Sequence, residues 1–304
     1  MTCCATAPPT DPHPDVVLPV LAEVVRSGFV ESRHTGSVVA VAPDGEVVLA
    51  LGDPGATIFP RSANKPMQAV GMVRAGLDVD DPKLAIAAAS HSGEPAHVEL
   101  VRSLLIEAGL RDTDLGNTAS LPLDQAAAAA VWRSGGGPAP IYQNCSGKHA
   151  AMLATCLAAG WPISGYLDPS HPLQAALGET VETLAGESVA AVGVDGCGAP
   201  IFAISLLGLA RCFARLVRAE VGTPERRVAD AMRAWPALVG GTGRDVTALM
   251  VGVPGLLAKD GAEGMYAAAT ADGAAVALKI ADGGDRARGP VLVEIGRASC
   301  RERV

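Results

Sequence analysis

The chain has 304 residues, 49% of them hydrophobic and 18% charged, and a net charge of −8. That supplies a substantial core, in one large domain or two small ones. The acidic balance and the lack of any Lys/Arg run argue against a nucleic-acid partner, and no apolar stretch reaches the roughly 18 residues that span a bilayer.

The opening MTCCATAPPTDPHPD has neither a basic n-region nor an apolar h-region, so residues 1–15 are expected to form a disordered tail rather than an export signal. Seven cysteines are too sparse for a disulfide scaffold, and a reducing cytoplasm is the expected location. The basic residues divide into 19 arginines and only 5 lysines. An amine can lose its proton where a guanidinium cannot, so the few lysines attract attention; codon bias is the ordinary alternative.

In chain order, GSVVAVAPDGEVVLAL (36–51) alternates around Asp44-Gly45 and predicts a hairpin. After Phe59-Pro60 the spacing predicts a helix beginning near Ser62, with Pro66 in its first turns. Helices are predicted over 94–109, 125–133, 146–159, 172–186, 200–218 and 225–234. The helix at 146–159 is rich in small residues that require close packing. Val189–Val194 reads as a short buried strand, and 263–269 with 274–281 as two strands joined at Asp272-Gly273. No repeat and no long linker appears, so 16–293 is expected to be one α+β domain: a mainly antiparallel sheet flanked by helices. The ending EIGRASCRERV breaks the pattern and is compatible with read-through of a sequencing adapter. Residues 294–304 are therefore expected to be a non-native tail, standing where a native helix would cover one sheet face.

Four segments can carry chemistry. Ser62-Ala-Asn-Lys65 places a hydroxyl and an amine three residues apart at a helix start, where a desolvated lysine can take a serine proton. A capping serine followed by a solvated lysine is the ordinary alternative. Ser90-His91-Ser-Gly-Glu94, with His97, is a polar cluster closing an apolar run; Ser92 or Glu94 can also simply cap the next helix. Asn144-Cys145-Ser-Gly-Lys148 puts a thiol and an amine at another helix start, and Asp195-Gly-Cys197-Gly follows a strand. Two cysteines and a neutral lysine can hold Zn²⁺ with an open fourth position, although the spacing is not a usual zinc pattern and buried inert cysteines are the ordinary alternative. Cys156 and Cys212, inside apolar helices, are expected to be inert. Lys279 follows an alternating strand and can point into a cleft, or simply be exposed. Lys259 lies in a turn-rich stretch and is expected in solvent. The six histidines form no His-based metallohydrolase pattern.

Together, VESRHTG (30–36), PRSANKPMQ (60–68), ASHSGEPAH (89–97), QNCSGKHAAM (143–152), VDGCGAP (194–200), KDGAEG (259–264) and KIADGG (279–284) resemble the type II, thermolabile-like L-asparaginase family over about residues 17–293. The resemblance implies a fold like that of serine β-lactamases and glutaminases, and hydrolysis of L-asparagine to L-aspartate and ammonia. It implies two Ser–Lys pairs, Ser62 with Lys65 and Ser90 with Lys279, and a zinc ion on Cys145, Lys148 and Cys197. Asp195 would hold the substrate's amino group, Arg61 or Arg244 its α-carboxylate, and His91 would line the site. A homodimer is expected, with no nucleic-acid or membrane partner. Met265, where some relatives carry a polar or cysteine residue, departs from the pattern. The rival readings are hydrolysis of another amide, such as glutamine or a β-lactam, and a non-catalytic zinc or redox-sensing scaffold.

Overall fold

The computed structural model describes residues 17–301, with side chains to residue 297. The tail expected at 1–15 lies outside the described residues. Strand β1 (Val20–Arg26) turns through Ser27-Gly28 into the long β2 (Phe29–Val41). Both turn residues have positive φ, 48° and 83°, which gives a two-residue hairpin the twist of its strands. The predicted hairpin at Asp44-Gly45 follows: the Gly45 amide donates to the Ala42 carbonyl and the chain returns as β3 (Val47–Leu51). A short β4 (Thr57–Ile58) leads to a 3-10 turn over Arg61–Asn64, which runs directly into α1 (Lys65–Arg74) with Pro66 in its first turn.

A helical stretch comes next: α2 (Asp81–Ala87), α3 (Pro95–Glu107), α4 (Gln125–Arg133), α5 (Ser146–Ala158) and α6 (Pro172–Ala185). Their starts are marked by side-chain caps, Asp80 on the Lys83 amide and Asp124 on the Ala127 amide among them. The small residues of α5 serve close approach as predicted. A Cβ on Gly147 would meet the Ile86 carbonyl oxygen of α2 at 2.4 Å.

Two predicted elements are corrected. The helix expected over 200–218 begins as a strand: β6 (Pro200–Ser205) lies between β4 and β5 (Ala191–Val194) in a three-stranded sheet, and Ser205 then caps α7 (Leu206–Arg218). The apolar run PIFAI satisfies a buried strand as well as a helix, and only pairing decides between them. β5 is not buried; it is an edge strand with Val194 76% exposed.

After α8 (Pro224–Ala234), α9 (Pro236–Val239) and α10 (Asp245–Gly252), the chain forms β7 (Leu257–Gly261), β8 (Met265–Ala269), β9 (Ala275–Ile280) and α11 (Arg288–Arg301). These strands complete an antiparallel six-stranded sheet, ordered β1-β2-β9-β8-β7 with β3 also on β2. α7 and α11 pack against it, with Val291 and Leu292 buried. Residues 294–301, expected as a foreign tail, continue α11. No helix among the described residues is long and apolar enough to cross a membrane. The antiparallel sheet flanked by helices is the fold class expected from the sequence. The edge strand β7 lies against the 3-10 turn: a Cβ on Gly261 would meet the Pro60 carbonyl at 2.9 Å. That contact sets the Lys259-Asp260-Gly261 strand beside Ser62 and Lys65.

Candidate active site

The 3-10 turn carries Ser62 and delivers Lys65 as the first residue of α1, fully buried. Lys65 Nζ donates to the Ala89 carbonyl at 2.7 Å and to Ser90 Oγ at 3.0 Å. Its hydrogen bonds thus run to the end of α2, not back to Ser62. The i, i+3 spacing brought the amine to the right neighbourhood, and a non-local serine took it.

Ser90 and His91 are pinned by backbone bonds to Val239 and Asn144. His91 Nδ1 accepts from the Gly93 amide, so Nε2 carries the proton and donates to Ser146 Oγ at 3.0 Å. Burial, then the stacked His97 and the ammonium of Lys65, hold His91 well below the usual imidazole range. With both ring nitrogens committed to protein atoms, this neutral ring braces the Ser90 and Ser146 segments instead of offering a nitrogen to a ligand.

Lys259, expected in solvent, is 0% exposed. Its Nζ donates to Asp260 Oδ1 at 2.6 Å and to the Asp260 carbonyl at 2.8 Å. Burial, with Lys65 and Arg244 as cationic neighbours, draws Lys259 down to about 8 although Asp260 opposes the shift. Burial pushes Asp260 up, but Lys259, Arg244 and Arg288 outweigh it and hold the carboxyl below its usual range. Arg244 Nη2 meets Asp260 Oδ2 at 2.6 Å while its Nη1 reaches the Ser90 carbonyl at 3.4 Å. The motif KDGAEG contained the end of this strand, but its glycines and charges hid the strand pattern.

The two expected substrate anchors bond to each other: Arg61 Nε donates to Asp195 Oδ1 at 2.9 Å. Arg61 also faces Glu263 at 3.6 Å, and both residues hold left-handed backbone, φ 50° and 60°. Non-glycine residues in that region cost about 1–3 kcal/mol each and persist where the surroundings enforce them. Burial raises Asp195, but Lys148 and Arg61 bring its net shift downward.

Cys145, Lys148 and Cys197 come together. Cys145 Sγ donates to Asn144 Oδ1 at 3.0 Å, and beside each other the two thiols shift in opposite directions, Cys145 well below and Cys197 above the usual thiol value. Lys148 Nζ lies 3.3 Å from Cys197 Sγ. Burial alone would lower Lys148, yet the sulfurs and Asp195 raise it. Two sulfurs and an amine suit Zn²⁺ once the amine gives up its proton. Among the described residues no group of three His, Cys, Asp or Glu side chains is placed to hold a metal, so the lysine is needed as third donor. His149 extends the cluster, unnoticed in the sequence. Tyr166 bonds its Nδ1 at 2.8 Å, and burial draws the ring down to about 4. Cys156 and Cys212 are buried in helices, and burial pushes both thiols up, as an inert cysteine requires.

Lys279 does not join the lysine group. It lies on β9, opposite Met265, donates to the Ile280 carbonyl and is only half-buried, with Glu263 and Asp282 as its charged neighbours. Strand β8 lies between it and Gly261, and Lys259 occupies the place beside Lys65 instead. A surface depression of about 450 Å³ between α7 and the β2–β3 turn, lined by Val41, Asp44, Arg211 and Arg218, contains no nucleophile.

Among functionally curated proteins, none matches the chain. Solved structures align distantly. A β-lactamase from Mycobacterium bovis is 18% identical over 85% of this chain and 94% of its own, with a TM-score of 0.45. A Bacillus glutaminase is 12% identical over 86% and 90%, with a TM-score of 0.38. The sequence model of the L-asparaginase II family, in contrast, matches residues 22–299, nearly the whole chain. The chain belongs to the L-asparaginase II family and is an amidohydrolase.

Proposed function

We propose that the chain hydrolyses L-asparagine to L-aspartate and ammonia through an acyl-enzyme on Ser62. The observation that carries this reading is the buried Lys65 amine, one helical turn from Ser62 and 3.0 Å from Ser90 Oγ. The amine takes the Ser62 proton as Oγ attacks the side-chain amide carbon, and Ser90 relays protons to and from it. The departing nitrogen receives a proton and leaves as ammonia; water then attacks the ester and Ser62 recovers its proton. Asp195 receives the α-ammonium and Arg61 the α-carboxylate, so the substrate replaces the Arg61–Asp195 pair with two ion pairs of its own. Arg244, held by Asp260, supports Ser90 instead. Zinc on Cys145, Lys148 and Cys197 would polarise a substrate oxygen.

The Lys65–Ser90 bond equally favours a second reading, in which Ser90 is the nucleophile. The test is ammonia release by the parent, Ser62→Ala, Ser90→Ala and Lys65→Met, with the ester-bearing peptide identified by mass spectrometry. An aspartyl ester on the Ser62 peptide supports the first reading, and one on the Ser90 peptide the second. A folded parent inactive on asparagine but active on glutamine or a β-lactam overturns the substrate.

A further inference from the structure

Among the described residues Asp260 is the one buried carboxylate, and it lies among three cations from different parts of the fold. Lys259 precedes it on β7, Arg244 caps α10, and Arg288 belongs to α11. One oxygen takes Lys259 at 2.6 Å; the other takes Arg244 at 2.6 Å and Arg288 at 3.5 Å. Arg288 also donates to the Gly261 carbonyl at 2.8 Å, next to the strand's contact with the 3-10 turn, and stands over the Tyr266 ring. Its other carboxylates are the half-buried Asp245 and the exposed Asp285. The groups facing Lys259 are therefore Asp260, Lys65 of α1 and Arg244, and those facing Asp260 are Lys259, Arg244, Arg288 and the Tyr266 hydroxyl.

We propose that Asp260 is a positioning residue of the amidohydrolase site. It seats the Lys259 ammonium beside Lys65 and turns Arg244 onto the Ser90 carbonyl, and Arg288 locks it from the last helix. The inference rests on the proposed function for its catalytic arm only. A buried carboxylate with three cationic partners is costly to assemble, and a helix distant in sequence supplies one of them. With Asp260 neutralised, three cations face one another, Lys259 binds its proton less tightly, and Arg244 loses the contact that aims it.

The experiment uses lysine-labelled full-length chain, whose five lysines give few signals; Lys259→Met assigns the one of interest. The Lys259 midpoint is followed by NMR in the parent, Asp260→Asn and Asp260→Glu, alongside kcat and KM for asparagine. The parent midpoint is expected near 8. In Asp260→Asn it falls by about one pH unit or more, and kcat falls by about 100-fold while KM changes far less. Asp260→Glu restores the midpoint. Should Asp260→Asn not fold, the double variant with Arg288→Met, which removes one orphaned cation, replaces it. An unchanged Lys259 midpoint, or parental kcat and pH profile in a folded Asp260→Asn chain, overturns the proposal. If the parent is inactive on asparagine, the proposed function fails alone, because the titration still decides the pairing.

Discussion

Lys259 and Asp260 are neighbours in sequence whose depressed folded values both make stability rise with pH, in separate windows. Lys259 has a folded value near 8 against an ordinary 10.5. Between those values the unfolded chain binds a proton that the folded chain has released, so this residue makes stability rise with pH across that window. Lys259→Met should flatten that rise in denaturant midpoints measured from pH 8 to 10; an unchanged slope would refute the assignment. Asp260 does the same at the acid end. Its folded value is depressed below 3.8, so its contribution is complete above that pH and is lost as acid carries the solution through the folded value. Asp260→Asn should therefore soften acid unfolding while lowering stability at neutral pH. At this scale the sequence set Ser62 and Lys65 three residues apart at a helix start, but the Lys65 amine bonds to Ala89 and Ser90. It misplaced Lys259, because burial of a lysine depends on elements more than 150 residues away.

At the scale of elements, glycine carries α5 against α2. Gly147→Ala forces a methyl toward the Ile86 carbonyl and should cost about 1–3 kcal/mol, read as a lowered thermal midpoint. Val194→Lys, on the exposed edge of β5, should change stability by less than about 0.5 kcal/mol; a larger loss would mean that the edge is covered. Six of the predicted helices and the Asp44-Gly45 hairpin were legible, since their period, caps and turn residues lie within one segment. β7 and the β6 half of the 200–218 run were not. KDG carries no alternation, and PIFAI fits two periods.

Across the whole molecule, the site depends on the sheet and on its last helix. Leu292 is buried against that sheet, so Leu292→Ala should cost about 2 kcal/mol in denaturant unfolding, and no loss would mean that α11 is not docked. The chemistry available was legible along the chain: hydroxyls and amines at two helix starts, a pair of thiols, and motifs in the order of one amidohydrolase family. So was an antiparallel sheet with flanking helices, because hydrophobic period and turn residues are local properties. Folding in three dimensions settled that Lys65 serves Ser90, that Arg61 and Asp195 close on each other, and that Lys259 stands where Lys279 was expected. Those choices turn on a few ångströms between side chains from distant segments. Spacing along the chain limits where a residue can reach, and packing then selects among the partners within that reach.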